Sequence, residues 1–140
     1  MSSAPQLPRG VGALTLAGAI PFAACLIAAL VWPARAGLAL NAFVAYGAVI
    51  LSFLGGARWG AGLLQGAGTL RYVEAVLPSL LGFVALGVHF RPEWALSLLA
   101  GGFLVCWWRD HSDPAWPPGY RRLRGLITAI VVALHLAWWV

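Results

Sequence analysis

The sequence predicts an all-α integral membrane protein, a five-transmembrane-helix bundle with its N-terminus inside and its C-terminus outside. Three observations predict it. The chain of 140 residues is 61% hydrophobic and 9% charged, where soluble domains carry about 25% charged residues. Five apolar runs fill almost all of it, leaving room for one domain over 1–140. The run ends collect tryptophan and arginine, the residues that sit at the headgroup level of a bilayer.

The first run is Val11–Trp32, uncharged between Arg9 and Arg35. Ala34-Arg35-Ala36 after it fits a signal-cleavage pattern, but its apolar core exceeds the roughly 7–15 residues of a signal peptide, so a retained helix is expected. Pro21 lacks an N–H and should kink it. The second run, Gly37–Ala57, reaches from Arg35 to Arg58 without a charge. Both exceed the ~17 residues a crossing helix needs. The third, Tyr72–Phe90, holds Glu74 near its start and Pro78 as a second kink. The fourth, Trp94–Trp108, and the fifth, Leu126–Val140, are short. They cross only if their terminal tryptophans and arginines reach the headgroups and the bilayer thins locally. A hairpin of runs three and four that does not fully cross is the alternative. The runs are helices because lipid offers no partner to an exposed backbone N–H or C=O, and they lack the alternation of a membrane β-barrel.

Two connections stand out. Residues Gly60–Leu70 are glycine-rich and read as an inner loop or a surface-lying segment. The Gly56/Gly60 and Gly62/Gly66 pairs are GxxxG spacings, read first as packing within the chain and second as a dimer face. Arg109–Arg124, with Pro114, Pro117 and Pro118, reads as a stiff inner loop. Asp110, His111 and Asp113 within it are adjacent and lack a fourth ligand, so they read as a solvated turn and not a metal site. Cys25 and Cys106 lie within apolar runs and read as packing residues.

Orientation follows from the nine basic residues, all arginine. Arg9, Arg58, Arg71, Arg109, Arg121, Arg122 and Arg124 fall on the N-terminal side; Arg35 and Arg91 fall opposite. Arginine-rich sides face the cytoplasm. The eight tryptophans divide evenly, with Trp59, Trp107, Trp108 and Trp116 inside and Trp32, Trp94, Trp138 and Trp139 outside, the pattern of an aromatic belt. The all-arginine basic complement and the abundance of Ala and Gly read as a GC-rich bacterial genome, hence a bacterial inner membrane. A net charge of +5 spread over run ends is not a nucleic-acid surface.

Charges within a membrane are costly and usually functional. Arg58 and Glu74 close one helix and open the next on the inner side, where an ion pair is expected, and Arg109 ends the fourth helix beside them. With Trp59, Tyr46 and Asn41 they form the candidate binding set, suited to an anionic headgroup or small anion. Asn41, Tyr46 and Ser52 on the second helix read chiefly as interhelical hydrogen-bonding residues. His89 and His135 lie at similar depth on different helices, the weak basis for a haem or quinone site; no cofactor is expected. No nucleophile, zinc or phosphate-loop motif is present.

Three segments carry a family resemblance. Tyr46-Gly-Ala-Val-Ile-Leu-Ser-Phe-Leu-Gly-Gly-Ala-Arg-Trp-Gly60 resembles the signature of an uncharacterised bacterial inner-membrane family, domain of unknown function 3429, similar to mitochondrial transmembrane protein 69. Leu14-Thr-Leu-Ala-Gly-Ala-Ile-Pro-Phe22 resembles its first helix, and Trp116–Thr128 its last inner loop and final helix. The resemblance implies a small polytopic inner-membrane protein without an established activity, and it places Tyr46, Ser52, Gly55, Gly56, Arg58, Trp59 and Gly60 in the signature. The tryptophan-rich sensory proteins share five helices but not the Trp and Pro motifs, an analogy of architecture alone.

The function expected is that of a non-enzymatic polytopic inner-membrane protein, an accessory or assembly partner of a larger membrane complex or a homo-oligomer, in contact with the lipid bilayer and not with nucleic acid. The alternative is a small-molecule or lipid binder or carrier with its site at the inner mouth around Arg58 and Glu74. Third is a haem or quinone redox protein using His89 and His135.

Overall fold

The computed structural model describes residues 7–140, all helix, turn and connecting segment, with no strand among them. Six α-helices follow in order: α1 Arg9–Ala17, α2 Ile20–Val31, α3 Ala36–Gln65, α4 Thr69–Gly87, α5 Pro92–Ser112 and α6 Pro118–Leu136. Single 3-10 turns cover Pro33–Arg35 and Ala137–Trp139.

Helices α1 and α2 are the first apolar run, broken at Gly18 and Ala19. The break falls where Pro21 demands it: its ring crowds the carbonyl of Ala17, and it has no N–H to give that carbonyl. Pro78 behaves differently. It stays inside the continuous helix α4 and is buried against α3.

Four segments are long and apolar enough to cross a membrane: Arg9–Val31, Pro33–Gln65, Thr69–Gly87 and Pro118–Trp139. Helix α5 is long enough, at 21 residues or about 32 Å, but its charged ends lower its mean hydropathy. The fourth run is thus longer than its apolar stretch, beginning at Pro92 and continuing through Arg109, Asp110 and His111.

Two expected loops are corrected by the structure. Residues 60–65 belong to α3, which runs 30 residues before Gly66 ends it at φ +62°. The N–H of Ala67 closes on the Gly62 carbonyl at 3.0 Å, a Schellman closure that needs glycine at Gly66. Gly60 and Gly62 stay within the helix, Gly66 ends it, and Gly68 precedes the first residue of α4. The Arg109–Arg124 loop shrinks to Asp113–Pro117, because α5 runs on to Ser112 and α6 starts at Pro118, proline being suited to the first helical position. Asp113 pins this short link by accepting from Arg71 Nη2 at 2.8 Å and from the Ala115 N–H at 3.0 Å.

In lipid, the hydrophobic effect does not drive helices together; close packing and polar contacts must. Helix α3 packs most extensively on α4. A Cβ built at Gly55 would meet the Ala75 carbonyl oxygen at 2.3 Å, and one at Gly82 the Ala48 carbonyl oxygen at 3.0 Å. Glycine at both places lets the two backbones touch. At one end of the bundle an aromatic cluster joins α2, α3, α5 and α6. Phe22 packs edge-on to Phe43 at 4.9 Å, and the buried His135 ring lies 4.7 Å from Phe43 and 5.6 Å from Phe103. Trp138 closes over Phe43 at 5.4 Å.

The α3–α4 contact makes a comparison of two glycines informative. Gly55→Ala should lower unfolding stability in detergent by about 1–3 kcal/mol, because a carbonyl must move to admit one methyl. Gly101→Ala in α5, where nothing lies within 4 Å, should leave stability within about 0.5 kcal/mol or raise it. Thermal unfolding of both variants checks this.

Candidate functional site

The buried faces of three helices end in charge. On α5 the stripe Leu99, Phe103, Cys106 is continued by Asp110; on α6 Val131, Thr128 and Ile127 lead back to Arg124; on α3 Leu51, Leu54 and Gly55 lead to Arg58. Each charge keeps the spacing of three or four that holds a side chain on one helix face. They are therefore carried into the bundle: Asp110 is 4% exposed, Arg124 6% and Arg58 7%.

There they meet. Arg58 Nη1 donates to Asp110 Oδ1 at 2.8 Å, and Arg124 Nε donates to Asp110 Oδ2 at 3.0 Å. The other arm of Arg58 lies 4.0 Å from Glu74 Oε2, and Arg109 pairs with Glu74 Oε1. The result is one alternating chain, Arg109–Glu74–Arg58–Asp110–Arg124, that links α3, α4, α5 and α6. Three arginines against two carboxylates leave a surplus positive charge. The chain is driest at Asp110 and wettest at Arg109, whose guanidinium lies 5.9 Å over the Trp108 ring.

Two clefts flank the chain. One, of about 270 Å³, is lined by Arg58, Glu74, Leu77, Leu81, Trp108 and Arg109 among others. The second, of about 340 Å³, lies on the α1 and α6 side and reaches Arg124.

The candidate set from sequence divides here. Arg58, Glu74 and Arg109 do converge, with the expected Arg58–Glu74 pair as its long, outer contact. Trp59 lies apart from the chain, its ring 4.9 Å from that of Tyr72. Tyr46 reaches across to donate to the Gly18 carbonyl at 3.0 Å, at the break in the first run. Asn41 is exposed near the other end of α3, about 25 Å along the helix from Arg58. Ser52 bonds the Ala48 carbonyl of its own helix, so of the three polar residues on α3 only Tyr46 bonds another helix.

Asp110 is the main correction. It is not part of a solvated turn but the most buried carboxylate of the site, and Arg124 is its second partner. Ending the apolar runs at Trp108 and Leu126 hid both; following the helical period through the charged residues would have found them. Among the described residues no cluster of His, Cys, Asp or Glu could hold a metal ion. His135 Nδ1 lies 2.8 Å from the Val131 carbonyl and its ring is enclosed by phenylalanines, whereas His89 is exposed with Nδ1 2.7 Å from the Leu86 carbonyl. Neither lines any of the clefts.

The sequence pattern of the family described as "Protein of unknown function (DUF3429)" matches residues 7–140. Transmembrane protein 69 of Xenopus tropicalis is 31% identical over 130 residues, 89% of this chain and 51% of that protein. The chain thus spans about half the length of that relative. No solved structure matches.

Removing one partner from a buried ion network strands the others. Asp110→Asn should therefore lower stability by about 3–5 kcal/mol, since two buried arginines lose their counter-charge. The triple variant R58M/D110L/R124M should recover much of that loss, because an apolar replacement leaves no orphaned charge. Unfolding of both in detergent, against the parent, reads the difference.

Proposed function

We propose that this chain, which belongs to the DUF3429 family of proteins of unknown function, is a non-enzymatic membrane protein that acts by helix packing as an accessory or assembly partner of a larger membrane complex. The single observation that carries this reading is a vacant GxxxG. Gly55 and Gly62 are filled by α4, but nothing lies within 4 Å of a Cβ at Gly56 or Gly60. The pair sits beside exposed Phe53, Leu63 and Leu64 on the outer face of α3. Small residues at that spacing admit a second helix to van der Waals contact in lipid. Binding of an anion at Arg58 is the weaker reading, because its guanidinium already lies between two carboxylates.

In this reading all five rods cross a bacterial inner membrane, N-terminus inside and C-terminus outside, with no cofactor. The charge chain then lies at the cytoplasmic boundary, where seven of the nine arginines fall. Helix α5 crosses despite its polar ends because Asp110 is already paired within the bundle and Arg109 reaches the headgroups.

Two experiments test it. Native purification in mild detergent should recover a stoichiometric membrane partner from the wild-type chain and lose it from Gly56→Ile, with the thermal stability of the isolated chain unchanged. A chain that always runs alone, or pairs only with itself, overturns the accessory role. For topology, a cysteine at Ala115, with Cys25 and Cys106 replaced by alanine, should react with an impermeant reagent only after the cells are opened. Labelling of intact spheroplasts reverses the orientation.

A further inference from the structure

Helices α2 and α3 form a hairpin around the turn Pro33–Arg35 and pack against each other. A third cleft, a groove of about 350 Å³, runs along this hairpin from the turn to Ala24 and Ala42. It exists because Ala24 and Ala28 on α2, and Ala39 and Ala42 on α3, are too small to fill the space between the helices. Exposed Trp32 lines it at the turn end. Arg35, also at that end, is the one charged residue that lines it.

Arg35 differs from Arg91, the other arginine at this end of the bundle. Arg91 keeps a carboxylate oxygen of Glu93 at 3.7 Å. Arg35 is exposed and forms no ion pair among the described residues, and the first turn of α3 beside it holds no acidic residue. Its depth suits a lipid headgroup. Arg35 and Arg58 are about 34 Å apart along α3 at 1.5 Å per residue, close to the ~30 Å thickness of a bilayer's hydrocarbon. With Arg58 at one boundary, Arg35 and Trp32 stand at the headgroup level of the other.

We infer that this groove seats one anionic phospholipid, with an acyl chain along Ala28 and Ala39 and a headgroup of net negative charge over Arg35. The shape selects a chain. An α-helix, about 10 Å across with its side chains, does not enter a groove between two helices already in contact, whereas a single hydrocarbon chain does. From Trp32 to Ala24 the groove is about 12 Å long, which takes the upper stretch of one acyl chain. The charge selects the headgroup, because Arg35 has no counter-charge of its own and an anionic lipid supplies one. The site lies at the end opposite the Arg58–Glu74 mouth. It depends neither on the Gly56–Gly60 packing face nor on which way the chain is threaded.

The test places the full chain in phosphatidylcholine nanodiscs with a trace of photoreactive lipid. That lipid is phosphatidylglycerol or phosphatidylcholine, each with the same diazirine-bearing acyl chain. Peptide mass spectrometry then counts adducts on residues 24–42. Phosphatidylglycerol should label this segment about fivefold more than phosphatidylcholine. Arg35→Gln should remove the preference, and Arg91→Gln, whose charge is already paired, should keep it. Ala28→Phe, which fills the groove, should cut labelling of the segment by both lipids. Unchanged melting temperatures for the three variants separate loss of the site from loss of the fold. Equal labelling by the two lipids, or a preference that survives Arg35→Gln, overturns the inference. So does a preference lost equally with Arg91→Gln, which marks a general attraction of this end for anions, or labelling that Ala28→Phe leaves unchanged.

Discussion

Asp110 is the residue on which the arrangement of the helices depends. A lone carboxylate in a low-dielectric interior is strongly disfavoured, so its two oxygens must be met from both sides. Arg58 meets one from α3 and Arg124 the other from α6. Both arginines are themselves buried and need the carboxylate as much as it needs them. Three helices are therefore held at one level and in one rotational setting. Any other setting leaves at least one charge stranded. Glu74 brings in α4 by standing between Arg58 and Arg109.

Such a device suits a protein that lipid surrounds. Apolar contacts between helices gain little when the solvent is also apolar, so polar contacts and tight packing determine which faces meet. The structure divides these between its two ends. The charge chain orders one end. The aromatic cluster of Phe22, Phe43, Phe103 and His135 orders the other and brings α2 into the bundle. Between them, glycines at Gly55 and Gly82 bring α3 and α4 to backbone contact. Helix α1 belongs to none of these, and the cleft opens beside it for that reason.

Much of the architecture was legible in the sequence because it follows from composition and period. Apolar runs near twenty residues, a proline four residues after a failing turn, and tryptophan and arginine at run ends are all local signals. The convergence of Arg58, Glu74 and Arg109 followed from counting which run ends share a side. The errors were also local. Gly60–Leu70 read as loop because glycine lowers helix propensity, yet Gly62 is held against Tyr72 and only Gly66 adopts the left-handed conformation. Asp110 and Arg124 lie beyond the apolar stretches of their runs, where charge along the chain marks the end of a span, yet both are inside helices.

By itself, then, the sequence determined that this is a helical membrane protein, where the apolar parts of its rods run, and that Arg58, Glu74 and Arg109 stand near one end of the bundle. Those properties are carried by hydropathy, residue spacing and backbone chemistry, which act along the chain. Only the tertiary structure decided that Asp110, and not Glu74, is the most buried carboxylate of the charge chain, and that Gly56 and Gly60 stay open while Gly55 and Gly62 are filled. These depend on which faces of different helices meet. That choice is made by pairing buried charges and fitting backbones together across long stretches of sequence, and no single run contains it.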